Sequence, residues 1–68
     1  MIISVNGERR ELAAPVRLLD VLGLETGEPT PRGIAVAVDG IVVPRSRHAN
    51  TELSDGARVE IVRAVQGG

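Results

Sequence analysis

The dipeptide Asn6-Gly7 constrains the fold of this chain more than any other feature near its start. Asn-Gly is the strongest two-residue signal for a β-hairpin, because a type I′ turn requires a positive φ at both positions. The flanking residues agree, since 2–5 are mostly apolar and 8–12 are mostly charged. We therefore expect a hairpin whose second strand lies at a sheet edge, where charged side chains discourage further strand pairing.

Residues 15–22 predict a short α-helix. Pro15 suits the first helical turn, where its missing N–H needs no partner, and Gly23 is the expected end of the helix. The predicted apolar stripe follows the i, i+3 spacing of one helix face. Its members are Val16, Leu18, Leu19 and Leu22.

The rest of the sequence predicts three more strands, at 34–38, 41–43 and 58–65. The dipeptide Asp39-Gly40 turns the chain between the first two of them. We expect the first and last strands of the chain to lie side by side and parallel in the middle of the sheet. This order predicts an α+β fold: a mixed sheet of four to five strands with one main helix packed on one face.

The composition excludes several classes of protein. A chain of this length buries only about 60% of the surface of its unfolded form, so an elaborate catalytic pocket is not expected. The chain has no Cys and one His, which argues against thiolate and His-rich metal sites. Eight basic and nine acidic residues give a net charge of −1, which argues against a nucleic-acid partner.

The longest wholly apolar run, 34–38, is far shorter than the roughly 20 residues that span a bilayer. The first residues also lack the basic start and long apolar stretch of a secretion signal. We therefore expect a cytoplasmic protein that has no membrane partner.

The sequence ends in Val65-Gln66-Gly67-Gly68. Because glycine adopts almost any φ, two glycines after a strand predict a flexible tail. A tail without Cβ atoms is also thin enough to enter a narrow channel and bring a carboxylate to an enzyme's reactive centre. We therefore divide the chain into a domain at 1–64 and a flexible tail at 65–68.

Two stretches of the chain resemble the ThiS family of sulfur carriers from thiamine biosynthesis. Residues 33–46, GIAVAVDGIVVPRS, look like the middle of these proteins, and residues 53–68, LSDGARVEIVRAVQGG, look like their end. The hairpin and the leucine-bearing helix match in order, so the resemblance covers essentially the whole chain. Its most specific parts are the Val-Pro-Arg-Ser run, the Asp-Gly turn and the Gly-Gly end. One departure is His48, where many relatives carry an aromatic residue.

The resemblance implies a β-grasp, or ubiquitin-like, fold and a carrier that has no catalytic residues of its own. It implies that Gly68 is adenylated by an E1-like enzyme, ThiF, which uses ATP, while the carrier binds no cofactor. The adenylate would then become a thiocarboxylate, with sulfur drawn from cysteine through a desulfurase. Thiazole synthase, ThiG, would take this sulfur into the thiazole ring of thiamine. Val65, Gln66 and Gly67 would enter the partner's active site with Gly68.

The alternation of the last strand predicts a docking surface. If Val59 and Ile61 face the helix, the neighbouring positions of the strand lie on the open face of the sheet. Small apolar residues exposed there are candidate contacts for the adenylating enzyme and the synthase, although sheets also tolerate them without function. The predicted docking face consists of Ala35, Ala37, Val62 and Ala64.

Two single residues have competing interpretations. Arg63, beside the tail, either pairs with an acidic residue of a partner or is merely solvated. His48 lies in a polar and irregular segment, 45–51, and is expected to be a surface residue rather than a ligand or a base.

Other functions are compatible with the same sequence. The small subunit of molybdopterin synthase is similar in fold and in its Gly-Gly end but gives sulfur to a pterin precursor. A ubiquitin-like interaction module with an inert tail would keep its partner binding when Gly68 is deleted. A DNA-binding hairpin dimer is disfavoured by the net charge of −1. The absence of Lys favours a shuttle over a polymerising tag, because copies cannot be joined through side-chain amines.

Overall fold

The part of the chain that the structure describes folds into a five-stranded mixed sheet with one α-helix against one face. The computed structural model describes residues 1–13 and 16–63. The strands are β1 (Ile2–Val5), β2 (Glu8–Glu11), β3 (Ile34–Val38), β4 (Ile41–Val43) and β5 (Arg58–Arg63). The order across the sheet is β2-β1-β5-β3-β4, and only the β1–β5 pair is parallel. The expected arrangement of the first and last strands is confirmed.

Both predicted two-residue turns are present. Asn6 and Gly7 have φ angles of 50° and 82°, and Asp39 and Gly40 have φ angles of 51° and 82°. Positive φ at both central residues is the requirement of a type I′ turn, whose twist matches that of the strands it joins. These turns fix the β1–β2 and β3–β4 registers, in which Val5 lies opposite Glu8 and Val38 lies opposite Ile41.

The helix α1 spans Leu18–Thr26, so the prediction that Gly23 ends the helix was wrong. Gly27 ends it instead: it has a φ of 77°, in the left-handed region that glycine adopts readily. Its N–H donates to the carbonyl oxygen of Gly23 at 2.8 Å. Gly23 lies inside the helix, because burial of the neighbouring Val21 and Leu22 side chains stabilises the helix by more than a glycine weakens it.

The start of α1 also differs from the predicted 15–22 helix, of which residue 15 lies outside the described residues. Arg17 is extended, with φ −99° and ψ 156°, and forms an isolated β-bridge with Glu52. Its backbone N–H donates to a carboxylate oxygen of Asp20 at 3.1 Å. This contact is typical of a helix N-terminus and places the first helical residue at Leu18.

The core is built from aliphatic side chains, because the chain has no Phe, Trp or Tyr. The buried apolar residues of the core are Ile3, Val5, Leu18, Val21, Leu22, Val36, Leu53, Ala57 and Val59. The helix therefore packs through Leu18, Val21 and Leu22, and the predicted stripe was only partly correct. Leu19 is half-buried, and Val16 precedes the helix because α1 begins later than predicted.

The segment after β4 forms a 3₁₀ helix, Arg45–Asn50, rather than an irregular loop. Within it, His48 is only 4% exposed, so the prediction of a surface residue was wrong. Its Nε2 lies 2.9 Å from the carbonyl oxygen of Val43. Since a carbonyl oxygen only accepts hydrogen bonds, Nε2 carries the proton. The imidazole thus fills a core position and satisfies a backbone oxygen at the end of β4.

An ion pair ties the edge strand β2 to the end of the helix. Nε and Nη2 of Arg10 donate to the two carboxylate oxygens of Glu25 at 3.2 and 3.3 Å. The hydrogen bond to Glu25 and its negative charge raise the pKa of Arg10 above the usual guanidinium value. The predicted edge position of the charged strand β2 is confirmed. One of its charged residues, Arg10, also forms an ion pair with Glu25 of the helix.

Candidate functional site

The predicted tail follows β5, the central strand of the sheet. The predicted carrier residue Gly68 and its neighbours Val65, Gln66 and Gly67 lie outside the described residues, as does Ala64. What the structure establishes is the strand from which they continue. Its last described residue, Arg63, is exposed and lies opposite Ile34 of β3.

Side chains from the two hairpin turns hold β5. The Asn6 amide contacts both backbone polar groups of Ile61: its Oδ1 accepts from the Ile61 N–H at 2.8 Å, and its Nδ2 donates to the Ile61 carbonyl at 3.2 Å. Asp39 acts at the other end of the strand, where its Oδ1 accepts from the Arg58 N–H at 2.9 Å. The position of β5 is therefore fixed at its beginning and near its end.

The open face of the sheet carries a small apolar patch beside the end of β5. Ala35 lies opposite Val62, and Ala37 lies opposite Glu60 on one side and Val42 on the other. Val62 is 62% exposed, Ala35 is exposed and Ala37 is half-buried. The strand register thus brings together three residues of the predicted docking face.

Val42 belongs to the same patch and was missed by the sequence reasoning. It is 71% exposed, on the edge strand β4, directly opposite Ala37. The signal was present, because a two-residue turn at Asp39-Gly40 places Val38 opposite Ile41 and therefore Ala37 opposite Val42. We define the open-face patch as Ala35, Ala37, Val42 and Val62.

The remainder of the open face is mostly polar, although Ile2 of β1, two residues before Ser4 and 38% exposed, also lies on it. Arg58 and Glu60 precede Val62 at alternate positions of β5 and point to the same side of the sheet. Ser4 of β1 lies opposite Arg58 on one side and opposite Arg9 of β2 on the other. The apolar patch is therefore confined to the β3–β4 half of the face, around the end of β5.

Two surface depressions in the described part of the chain are open to solvent. One groove along α1 and the following loop is mainly apolar and is lined by Leu19, Leu24 and Pro29, among others. A smaller cleft at the end of β5 is lined by Asn6, Glu25 and Arg63, among others.

Among residues 1–13 and 16–63, no group of three or more His, Cys, Asp or Glu side chains is arranged to hold a metal ion. In the same residues, no helix has the length and apolarity needed to cross a membrane.

Residues 3–68 match the ThiS family. The chain belongs to this family. The match includes β5 and continues to Gly68, so it covers both the folded part and the predicted carrier tail.

Two solved structures have the same fold. The crystal structure of the thiamine biosynthesis protein ThiS from Geobacter metallireducens matches this chain with a TM-score of 0.83 and 24% sequence identity. The match covers 100% of each of the two chains. The solution structure of a thiamine biosynthesis protein from the same organism has a TM-score of 0.76 at 24% identity, over 100% of this chain and 88% of the other. The similarity confirms the predicted β-grasp fold.

A curated relative is a thiazole synthase of Paramagnetospirillum magneticum. It is 35% identical over 68 residues, which make up 100% of this chain and 20% of that protein. The chain therefore spans about a fifth of the length of this relative.

Proposed function

We propose that the chain is a sulfur carrier of thiamine biosynthesis that delivers sulfur for the thiazole ring. The observation that carries this proposal is the match to the ThiS family, which extends to the terminal Gly68. The position of that glycine after the central strand of a small, firmly held sheet supports it. In this proposal the protein is not itself an enzyme but a cosubstrate of other enzymes.

The chemistry takes place at the carboxylate of Gly68. A carboxylate oxygen attacks the α-phosphorus of ATP on an E1-like enzyme, and pyrophosphate leaves. A hydrosulfide ion then attacks the carbonyl carbon, and AMP leaves as the thiocarboxylate is formed. Where the cysteine-derived sulfur arrives as an enzyme persulfide, the attack gives an acyl disulfide, and a thiol reduces this disulfide to release the thiocarboxylate. The chain has no Cys, so the terminal carbonyl is the place where it can hold sulfur covalently. ATP is used by the activating enzyme, and the carrier binds no cofactor.

Thiazole synthase is the proposed acceptor of the sulfur. The support is the thiazole synthase of P. magneticum, which contains a segment 35% identical to the whole of this chain. A carrier and its acceptor that occur in one polypeptide are kept at a high effective concentration, which suits the transfer of a reactive group. This relationship favours a thiazole acceptor over a pterin precursor.

The open-face patch is the proposed contact for the enzymes that receive Gly68. The six residues after Val62 span at most about 20 Å when fully extended. An active site that takes up Gly68 therefore lies close to the end of β5, where the patch is exposed. The adenylating enzyme and the synthase have to reach the same carboxylate, so we assign the same face to both. Val65, Gln66 and Gly67 enter each active site together with Gly68.

An ATP–pyrophosphate exchange assay with the E1-like partner tests the proposal. We expect exchange that depends on the carrier and disappears when Gly68 is deleted, while the deletion variant keeps the circular dichroism spectrum of the intact protein. An interaction module with an inert tail predicts no carrier-dependent exchange. The acceptor is then tested by offering the thiocarboxylate form to thiazole synthase and, separately, to the large subunit of molybdopterin synthase. Sulfur transfer to the pterin precursor alone would overturn the thiazole assignment.

A further inference from the structure

The side chain of Asn6 continues the parallel pairing of β1 with β5 beyond the point where β1 ends. Along this edge of β5, Ser4 donates its N–H to Ala57 at 3.0 Å, and Asn6 donates its N–H to Val59 at 2.9 Å. The next residue on this side of β5 is Ile61, but the β1 backbone has already turned away into the hairpin. The Asn6 amide takes the place of the missing strand, because it supplies one acceptor and one donor to Ile61.

The contact between Asn6 and Ile61 lies close to the start of the tail, whereas the contact of the other turn, between Asp39 and Arg58, does not. Ile61 precedes Gly68 by seven residues and is only two residues from the last described residue of β5. Asp39 occupies the equivalent first position of the other turn but contacts Arg58, at the beginning of the strand. Of these two turn side chains, Asn6 is therefore the one that holds the end of β5 from which the tail continues.

We propose that Asn6 is a positioning residue that fixes the direction in which the chain leaves β5 toward Gly68. The proposal rests on the carrier function proposed above. Without the amide, the N–H and carbonyl of Ile61 lose their partners, and the end of β5 moves more freely. A bound carrier then spends less time with its carboxylate in the reactive geometry, to which reaction rates are sensitive. Docking through the open-face patch changes little, because Asn6 lies outside that patch and the end of β5 that carries Val62 still spends most of its time in the native arrangement.

The two turns offer a matched pair of variants. Asn6→Gly keeps a residue that readily adopts the positive φ of 50° and removes only the side chain. Asp39→Gly makes the same change at a φ of 51° and removes the contact at the opposite end of β5. Asn6→Asp is the conservative variant, because its carboxylate still accepts from the Ile61 N–H but donates nothing to the Ile61 carbonyl.

The kinetics of adenylation distinguish positioning from general stability. We expect Asn6→Gly to lower kcat by about five- to tenfold and to change KM for the carrier by less than about twofold. Asp39→Gly should stay within about twofold of the natural protein in both constants, and Asn6→Asp should have an intermediate kcat. Equal kcat values for the two glycine variants would overturn the proposal.

Amide hydrogen exchange provides a test that needs no partner. We expect the amides of Ile61, Val62 and Arg63 to exchange about tenfold faster or more in Asn6→Gly, and Arg58 to be little changed. Unchanged exchange at Ile61 would show that the Asn6 side chain does not hold the backbone of Ile61, and this would overturn the proposal. If the natural protein is not adenylated at all, the carrier function fails and the role of Asn6 in it fails as well. A kcat loss confined to Asn6→Gly cannot be confused with that outcome.

Discussion

Val62 and Ala35 form a cross-strand pair on the face of the sheet that the helix leaves open. The pair lies where β5 approaches its last described residue, next to Ala37 and Val42 on the neighbouring strands. An exposed valine opposite an exposed alanine contributes little to the core. The pair is better suited to contact a partner, because burial against another protein would remove its apolar surface from water.

Val62→Asp is expected to weaken docking. A carboxylate introduced into an apolar interface loses hydration without gaining a partner, so KM for the carrier in adenylation should rise about tenfold or more. The matched control is Leu24→Asp, because Leu24 is 71% exposed and Val62 is 62% exposed, but Leu24 lies on the helix. The control should stay within about twofold. A rise in KM for Leu24→Asp alone would move the interface from the sheet to the helical groove.

The two glycines of the helix region are expected to respond in opposite directions to alanine. Gly27→Ala should lower the free energy of unfolding by roughly 1–2 kcal/mol, because Gly27 has a φ of 77°. Gly23→Ala should raise it by about 0.5–1 kcal/mol, because alanine favours a helix interior. A Cβ at Gly23 would lie 3.5 Å from the Glu28 carbonyl oxygen, which is an ordinary contact.

Urea unfolding followed by circular dichroism measures both changes, since the chain has no Trp, Tyr or Phe to serve as a fluorescent probe. Destabilisation by Gly23→Ala together with no effect of Gly27→Ala would show that the helix ends at Gly23, as the sequence alone had suggested.

His48→Ala is expected to lower the free energy of unfolding by about 1–3 kcal/mol. The change removes a buried side chain and leaves the Val43 carbonyl without its hydrogen-bond donor. Arg47→Ala is the control, because Arg47 is an exposed neighbour in the same 3₁₀ helix, and it should change stability by less than about 0.5 kcal/mol. The same urea experiment applies, and equal effects of the two variants would contradict the structural role of His48.

The strands and turns were predictable because their signals are local. Asn6-Gly7 and Asp39-Gly40 demand positive φ at both positions, and β1, β3 and β4 were predicted with the boundaries that the structure has. The helix boundaries were not predictable with the same precision. Gly23 and Gly27 look alike in the sequence, and only the packing of Leu22 and the left-handed turn at Gly27 decide between them.

The long-range contacts of the site lay beyond sequence reasoning. His48 stands among polar residues, and its burial depends on how the 3₁₀ helix packs against the end of β4. The contact between Asn6 and Ile61 joins residues 55 positions apart, so no local pattern announces it. Three members of the open-face patch were predicted from alternation, whereas Val42 required the register of the β3–β4 hairpin as well.

The most direct test of the central claim is the mass of the C-terminal fragment. The purified protein is incubated with ATP, the E1-like enzyme and sodium sulfide, and is then cleaved and analysed by mass spectrometry. Localisation to the fragment is essential, because oxidation of Met1, the sole methionine, adds nearly the same mass as replacement of oxygen by sulfur. We expect one oxygen to be replaced by sulfur in the fragment that contains Gly68, and no such change when Gly68 is deleted. An unmodified C-terminus, with an established carrier converted under the same conditions, would contradict the sulfur-carrier function.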